Sequence, residues 1–231
     1  MKKISLIIII SVLFIQTQAQ HKSVVFGLRA GGNLSWMKPD TKDYSSGGVK
    51  AGFSWGFLAD FYLMENYSIL TGFNMDFNGG KLEYPWTSEI SVQDSNIITP
   101  GTMNRDYSLK YIQIPLCLKM QTALSEKVTI FGKIGVGTAF NLNAKVTDEF
   151  VYDDGTINYE KQTVSDEIAL MRESLIVGGG VSITIKGSTA VIIDLTYDNA
   201  FNDILVGDNP YVSQEVKGVQ NFVEIGAGIV F

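Results

Sequence analysis

Apolar and polar residues alternate with a period of two through most of the chain, the spacing that places successive side chains on opposite faces of a β-strand. The clearest run puts Ala51, Phe53, Trp55, Phe57, Ala59, Phe61 and Leu63 on one face and Gly52, Ser54, Gly56, Leu58, Asp60 and Tyr62 on the other. Tyr67 to Asn78 repeats it, with Phe73, Met75 and Phe77 against Gly72, Asn74 and Asp76. The same pattern predicts strands over 24–35, 107–121, 127–143, 175–185, 189–199 and 221–231. Pro115 interrupts the donor pattern of its strand, and a bulge or irregularity is expected there.

The predicted strands are eight in number, and their links alternate in length. Met64-Glu65-Asn66, Thr122 to Glu126 and Lys186-Gly187-Ser188 are short; 36–50, 79–106, 144–174 and 200–218 are long and polar. Strict alternation of this kind belongs to outer-membrane barrels, which have short periplasmic turns and longer extracellular loops. The expected fold is therefore all-β: an eight-stranded antiparallel up-and-down transmembrane β-barrel over residues 20–231, with both termini periplasmic. A short helix is expected over Val164–Glu173, where Ile168, Leu170 and Met171 approach helical spacing. The last predicted strand ends on Phe231, which is expected to act in assembly as the closing aromatic of the final stave.

Residues 1–19 read as a signal peptide. Met1-Lys2-Lys3 is basic, Ile4 to Ile15 is apolar, and Thr17-Gln18-Ala19 supplies the small residues of a cleavage site. The apolar run is too short to span a bilayer as a helix, which takes about 20 residues. Loss of Lys2 and Lys3 takes the formal charge of the chain from −6 to −8.

Which face meets lipid follows from volume. Eight strands leave an interior just wide enough for side chains. Phe53, Trp55, Phe57, Phe61, Phe73, Phe77, Phe140 and Phe231 are too bulky to fill it together, so this face is assigned outward. The opposite face carries Gly, Ser and Thr with Arg29, Asp60, Asp76, Lys119, Lys133, Asp194, Asp198 and Glu224. Charges of both signs repeated on successive strands predict an ion network in the lumen, although a single charge is more often a solvated strand face. Trp36, Trp55, Tyr62, Tyr67, Trp86, Tyr107 and Tyr197 fall near strand ends, where interfacial aromatics are expected; β-propensity alone also enriches aromatics.

Composition agrees. Charged residues make up 18% of the 231 residues and hydrophobic ones 45%, against roughly 25% charged in soluble domains. Glycine is frequent at 23 and proline scarce at 5. With a pI of about 4.8, nothing points to nucleic acid.

Candidate chemistry is sparse. The single histidine, His21, precedes the first strand, so no triad is expected in the barrel. Cys117, the single cysteine, falls on the inner face with no histidine to activate it. Gly178-Gly179-Gly180 lies within a strand and lacks the Lys-Ser/Thr of a phosphate loop. Asp153-Asp154-Gly155 lacks the spaced ligands of a calcium loop and reads as a turn. No enzyme activity, cofactor or metal is expected.

Gly27-Leu28-Arg29-Ala30-Gly31-Gly32-Asn33-Leu34-Ser35, Tyr111-Ile112-Gln113-Ile114-Pro115-Leu116-Cys117-Leu118-Lys119 and Gly226-Ala227-Gly228-Ile229-Val230-Phe231 resemble segments of the PorT-like outer-membrane β-barrel family of Bacteroidetes-type bacteria. The resemblance covers essentially all of the chain after the signal and carries no catalytic motif. It implies an outer-membrane barrel, with a link to protein secretion through the founding member; fold alone does not transfer that role. The expected partners are outer-membrane lipid and the barrel-assembly machinery, with secretion-system or surface proteins beyond them, and the expected state is a monomer. The leading function is an envelope structural or interaction role through long extracellular loops around a filled polar lumen. A secretion accessory, a narrow passive porin, a barrel-embedded enzyme and a soluble lipocalin-like binder are the alternatives.

Overall fold

The computed structural model describes residues 24–92, 95–153, 155–209 and 214–231. The predicted signal segment, His21 and Asp154 lie outside them. Eight long strands form one antiparallel ring: β1 Val24–Pro39, β2 Lys50–Met64, β3 Tyr67–Val92, β4 Ser95–Ala123, β5 Val128–Tyr152, β6 Met171–Lys186, β7 Thr189–Ala200 and β8 Gly218–Val230. Each pairs with its neighbour in sequence, and β1 closes the ring on β8 in continuous register from Gly27 opposite Val230 to Pro39 opposite Gly218. Phe231 continues the closure, exchanging backbone hydrogen bonds of 3.3 and 2.8 Å with Phe26.

The three short links lie at one end of the barrel, here the turn end; Gly187 takes a φ of +59° there, a conformation that glycine adopts without a Cβ penalty. The opposite, hairpin end is where expectation and structure part. Residues 79–106 were expected to be loop, but they extend β3 and β4 as paired strands up to Val92 opposite Ser95. β5 likewise continues to Tyr152, where Gly155–Asn158 and Gln162–Thr163 add to its edge, and Ser45–Gly48 pairs with β3. The segment 164–173 is not helical. Ile168 bridges to Leu205, and Met171 to Glu173 already belong to β6. Val164 and Ile168 are buried in the interior core, whereas Leu170 and Met171 are exposed, so the segment's apolar residues share no helical face.

Pro115 keeps its register. The β3–β4 ladder is interrupted between the Thr71–Leu116 and Asn74–Gln113 pairs without any shift. The bulge lies elsewhere: Lys110 opposes Asn143 while Tyr111 opposes Asn141, which leaves Leu142 as the extra residue on β5.

Across the span from the turn end to about Phe77, the outward face is apolar and exposed. Leu116 is 55% and Ile225 66% accessible, exposures expected of residues that meet lipid. Trp36 and Tyr197 stack outside β1 and β7, 6.3 Å between centroids. Trp86 and Tyr107 were expected in the interfacial girdle. Tyr107 is instead buried, and Trp86 packs against the same interior cluster, because the hairpin end turns its aromatics inward.

Candidate functional site: the barrel interior

Small inward residues make room for large charged ones. At Gly226 a Cβ would collide with the Arg29 guanidinium and come within 2.6 Å of the Asp194 carboxylate; at Gly178 it would meet the Lys133 stem at 2.9 Å. In the space so kept, Arg29 holds Asp194 through both carboxylate oxygens at 3.0 Å and pairs through Nη1 with Glu224. Lys133 reaches the same Asp194 at 2.7 Å, Thr196 donates to it at 2.9 Å, and Ser54 donates to Glu224.

Toward the turn end, Lys119 pairs with Asp60 at 2.6 Å and lies 4.7 Å from the Phe131 ring centroid. Lys119 and Lys133 oppose each other across the β4–β5 ladder. This like-charge pairing is tolerable because the two ammonium groups reach different carboxylates, Asp60 and Asp194. Leu58, Ala190, Ile192 and Val230 pack as a small apolar cluster nearby.

Toward the hairpin end stands a pair that the sequence reading missed on one side. Arg172, 1% exposed, pairs with Asp198, donates to the Gln220 carbonyl at 2.9 Å and faces the Phe222 ring at 5.4 Å. Gln113 donates to Asp198 at 2.8 Å. Arg172 falls in the segment where a loop helix was expected; its signal in the sequence is the alternation of Arg172 and Ser174 with Glu173 and Leu175, which continues β6 back to Met171.

The structure thus brings Arg29, Lys133, Asp194 and Glu224 into one cluster and Lys119 with Asp60 into a second. Asp76 is buried at 3% exposure and lines the same lumen. Among the described residues it forms no ion pair or hydrogen bond. The carboxyls of Asp60, Asp76, Asp194, Asp198 and Glu224 therefore exceed the cations of Arg29, Lys119, Lys133 and Arg172 by one. Cys117 is buried on this face.

Above this polar section the interior is apolar, contrary to the expectation of a polar lumen throughout. Met37, Leu82, Tyr84, Met103, Tyr107, Leu109, Val146, Phe150, Ile168 and Ile204 form a buried core across the hairpin end. Burial of each large side chain contributes on the order of 1.5–3 kcal/mol. Arg105 crosses it, bound to Asp148 at 2.7 and 2.8 Å and to Glu167 at 2.6 Å. Burial alone would lower the Arg105 guanidinium, but the Asp148 carboxylate and the neighbouring Tyr84 and Tyr107 hold it above its ordinary value, so it stays charged. Burial pushes the Tyr107 hydroxyl up to about 12. The polar section retains only about 50 Å³ in which the centre of a water molecule fits, enough for a few waters.

An outer membrane protein beta-barrel domain model matches residues 16–230. No curated protein matches the chain. Among solved structures, Neisserial surface protein A is similar at a TM-score of 0.50 and 13% identity, covering 90% of this chain and 96% of its own. OprG from Pseudomonas aeruginosa aligns at a TM-score of 0.48 and 12% identity over 91% and 97%. Ail of Yersinia pestis aligns at 0.41 and 16% over 91% and 100%. These likenesses concern the fold. The chain is a member of the outer membrane protein beta-barrel domain family.

Proposed function

We propose that this protein is a non-enzymatic barrel of the outer membrane whose filled lumen passes no solute and whose hairpin end, facing the cell exterior, serves contacts within the envelope. The observation that carries this reading is the stacking of two kinds of filling. Ion pairs occupy the interior at the height of the apolar belt, and a core built on Leu82, Tyr84, Phe150 and Ile204 caps it. A porin needs a continuous aqueous path, which such an interior does not offer. Both termini then lie in the periplasm, residues 1–19 act as the export signal, and Phe231 serves assembly.

Reconstitution in planar bilayers tests the lumen: only brief, small current events are expected, and a stable large conductance would overturn the reading. A cysteine placed at exposed Ile98 should react with a membrane-impermeant maleimide on intact cells, while Cys117 stays unlabelled. Labelling that requires cell lysis would reverse the orientation.

A finer reading, service to a protein secretion system, rests on the PorT-like character of the segments at 27–35, 111–119 and 226–231. Loss of secretion in a deletion strain supports it; normal secretion removes it.

A further inference from the structure

The outer wall changes chemistry in discrete steps along β3, β4 and β5. Met75, Ile112 and Phe140 stand level with one another, then Phe77, Lys110 and Asn143, then Gly79, Ser108 and Lys145, then Lys81, Asp106 and Thr147, then Glu83, Asn104 and Glu149. Lysines therefore occupy a narrow zone between the apolar belt and an acidic one. The Lys50 stem passes over Gly79, where a Cβ would come within 3.0 Å of its Cδ. Its ammonium then bonds Ser108 at 2.8 Å and pairs with Asp106.

Charge in this zone is unbalanced. Asp106 also faces Lys81, at 4.0 Å, so one carboxylate serves two lysines. Among the described residues Lys110 pairs with no carboxylate, and it lies 5.3 Å from the Phe77 ring centroid. Lys145, exposed on the next strand, makes no ion pair among the described residues. Lys110 and Lys145 are diagonal neighbours, with their Cβ atoms roughly 7 Å apart. Between them and the stacked rings of Phe53 and Phe77, 4.4 Å between centroids, runs a groove of about 320 Å³. All this lies on a chain that is acidic overall.

The height of the zone names the occupant. Lys110 is ten residues along β4 from Met120. At about 3.3 Å per residue and a strand tilt near 40°, that rise is about 25 Å, the height of an outer-membrane apolar band. The ammonium groups thus stand at headgroup level, above aromatic rings that acyl chains can cover.

We infer that this sector binds the phosphorylated headgroup of a membrane glycolipid, with Lys110 and Lys145 meeting phosphate, Lys50 and Lys81 adding charge, and Phe53 and Phe77 contacting acyl chains. The orientation proposed above matters only for which leaflet supplies the lipid, and the test uses purified protein, so failure of one leaves the other standing.

The folded barrel in detergent is titrated with bis-phosphorylated lipid A, or with lipid A stripped of phosphate, and read by native mass spectrometry. Wild type should prefer the phosphorylated form by roughly tenfold, as expected if two uncompensated lysines each contribute a modest electrostatic gain. Lys110→Gln with Lys145→Gln should abolish that preference, with folding verified by heat-dependent gel migration. Lys127→Gln with Lys186→Gln, at the turn end, should leave it intact. The inference is overturned if wild type shows no preference or if the preference survives the first pair of substitutions. It is equally overturned if the turn-end pair abolishes the preference, or if millimolar inorganic phosphate displaces the lipid.

Discussion

Replacing Arg29 by methionine should leave one orphaned carboxylate, not two. Asp194 keeps Lys133 at 2.7 Å and Thr196 at 2.9 Å, whereas Glu224 is left with the Ser54 hydroxyl as its partner. Breaking a buried pair by removing one member costs about 3–5 kcal/mol, because the remaining charge is neither solvated nor matched. Set against total stabilities of about 5–15 kcal/mol, that is a large fraction. The asymmetry makes the test sharp. In Arg29→Met/Glu224→Gln the orphan becomes a neutral amide that can still accept from Ser54, and recovery of roughly 2–4 kcal/mol is expected. In Arg29→Met/Asp194→Asn, Glu224 stays orphaned and Lys133 loses its carboxylate, so stability should fall below that of the single variant. Urea unfolding in lipid vesicles, followed by tryptophan fluorescence, measures all three. If Arg29→Met lies within about 1 kcal/mol of wild type, or if the two double variants behave alike, the lumen pairing has been misassigned.

Asp76→Asn should be neutral or slightly stabilising, within about 1 kcal/mol, because it removes the carboxyl in excess without breaking a pair; a loss above about 2 kcal/mol in the same unfolding assay would reveal a missed partner. Gly226→Ala should cost about 1–3 kcal/mol by pressing on Arg29 and Asp194, whereas Gly32→Ala, with nothing within 4 Å of the added carbon, should cost far less; equal thermal shifts would discount the packing argument. Leu116→Arg, within the apolar belt, should destabilise the barrel in bilayers by about 2–4 kcal/mol, while Ile98→Arg at the hairpin tip should lie near zero. A similar cost at both positions would move the belt.

The staves themselves were legible because a membrane strand must satisfy every backbone group and keep a lipid-facing side apolar. Their residues at the turn end, such as Val128 and Thr189, were identified almost to the residue. What was not legible was how far β3, β4 and β5 continue. Lys81, Glu83 and Asp106 made the segment look like polar loop, although Leu82, Tyr84 and Trp86 alternate with them. Arg29, Lys133, Asp194 and Glu224 were found as inward charges by parity alone, but their grouping depends on contacts across the ring, as between Arg29 and Asp194, which no local pattern encodes. Arg172 was lost because the start of β6 was set too late.

The missed extension and the missed core have one physical cause. At the edge of the apolar belt the surroundings of the wall change from lipid to water, so the face that must be apolar changes from outer to inner. β4 meets this by inverting its pattern. Ile112, Ile114, Leu116, Leu118 and Met120 point outward at even positions, whereas Met103, Tyr107, Leu109 and Tyr111 are buried at odd ones. β3 inverts between outward Phe77 and inward Leu82. β5 reaches the same result without changing its parity. Ile134, Val136 and Leu142 face out and Ala144, Val146 and Phe150 face in, all at even positions, because the extra residue at Leu142 turns the strand over. Were Leu142 paired in regular register instead of bulged out, Val146 and Phe150 would emerge on the outer wall and Thr147 and Glu149 would enter the core. A bulge and a pattern inversion are thus two solutions to one boundary condition. Where they fall on neighbouring strands, Phe77 to Leu82, Tyr111 to Ile112 and Leu142, they trace the same rim on which the lysines stand.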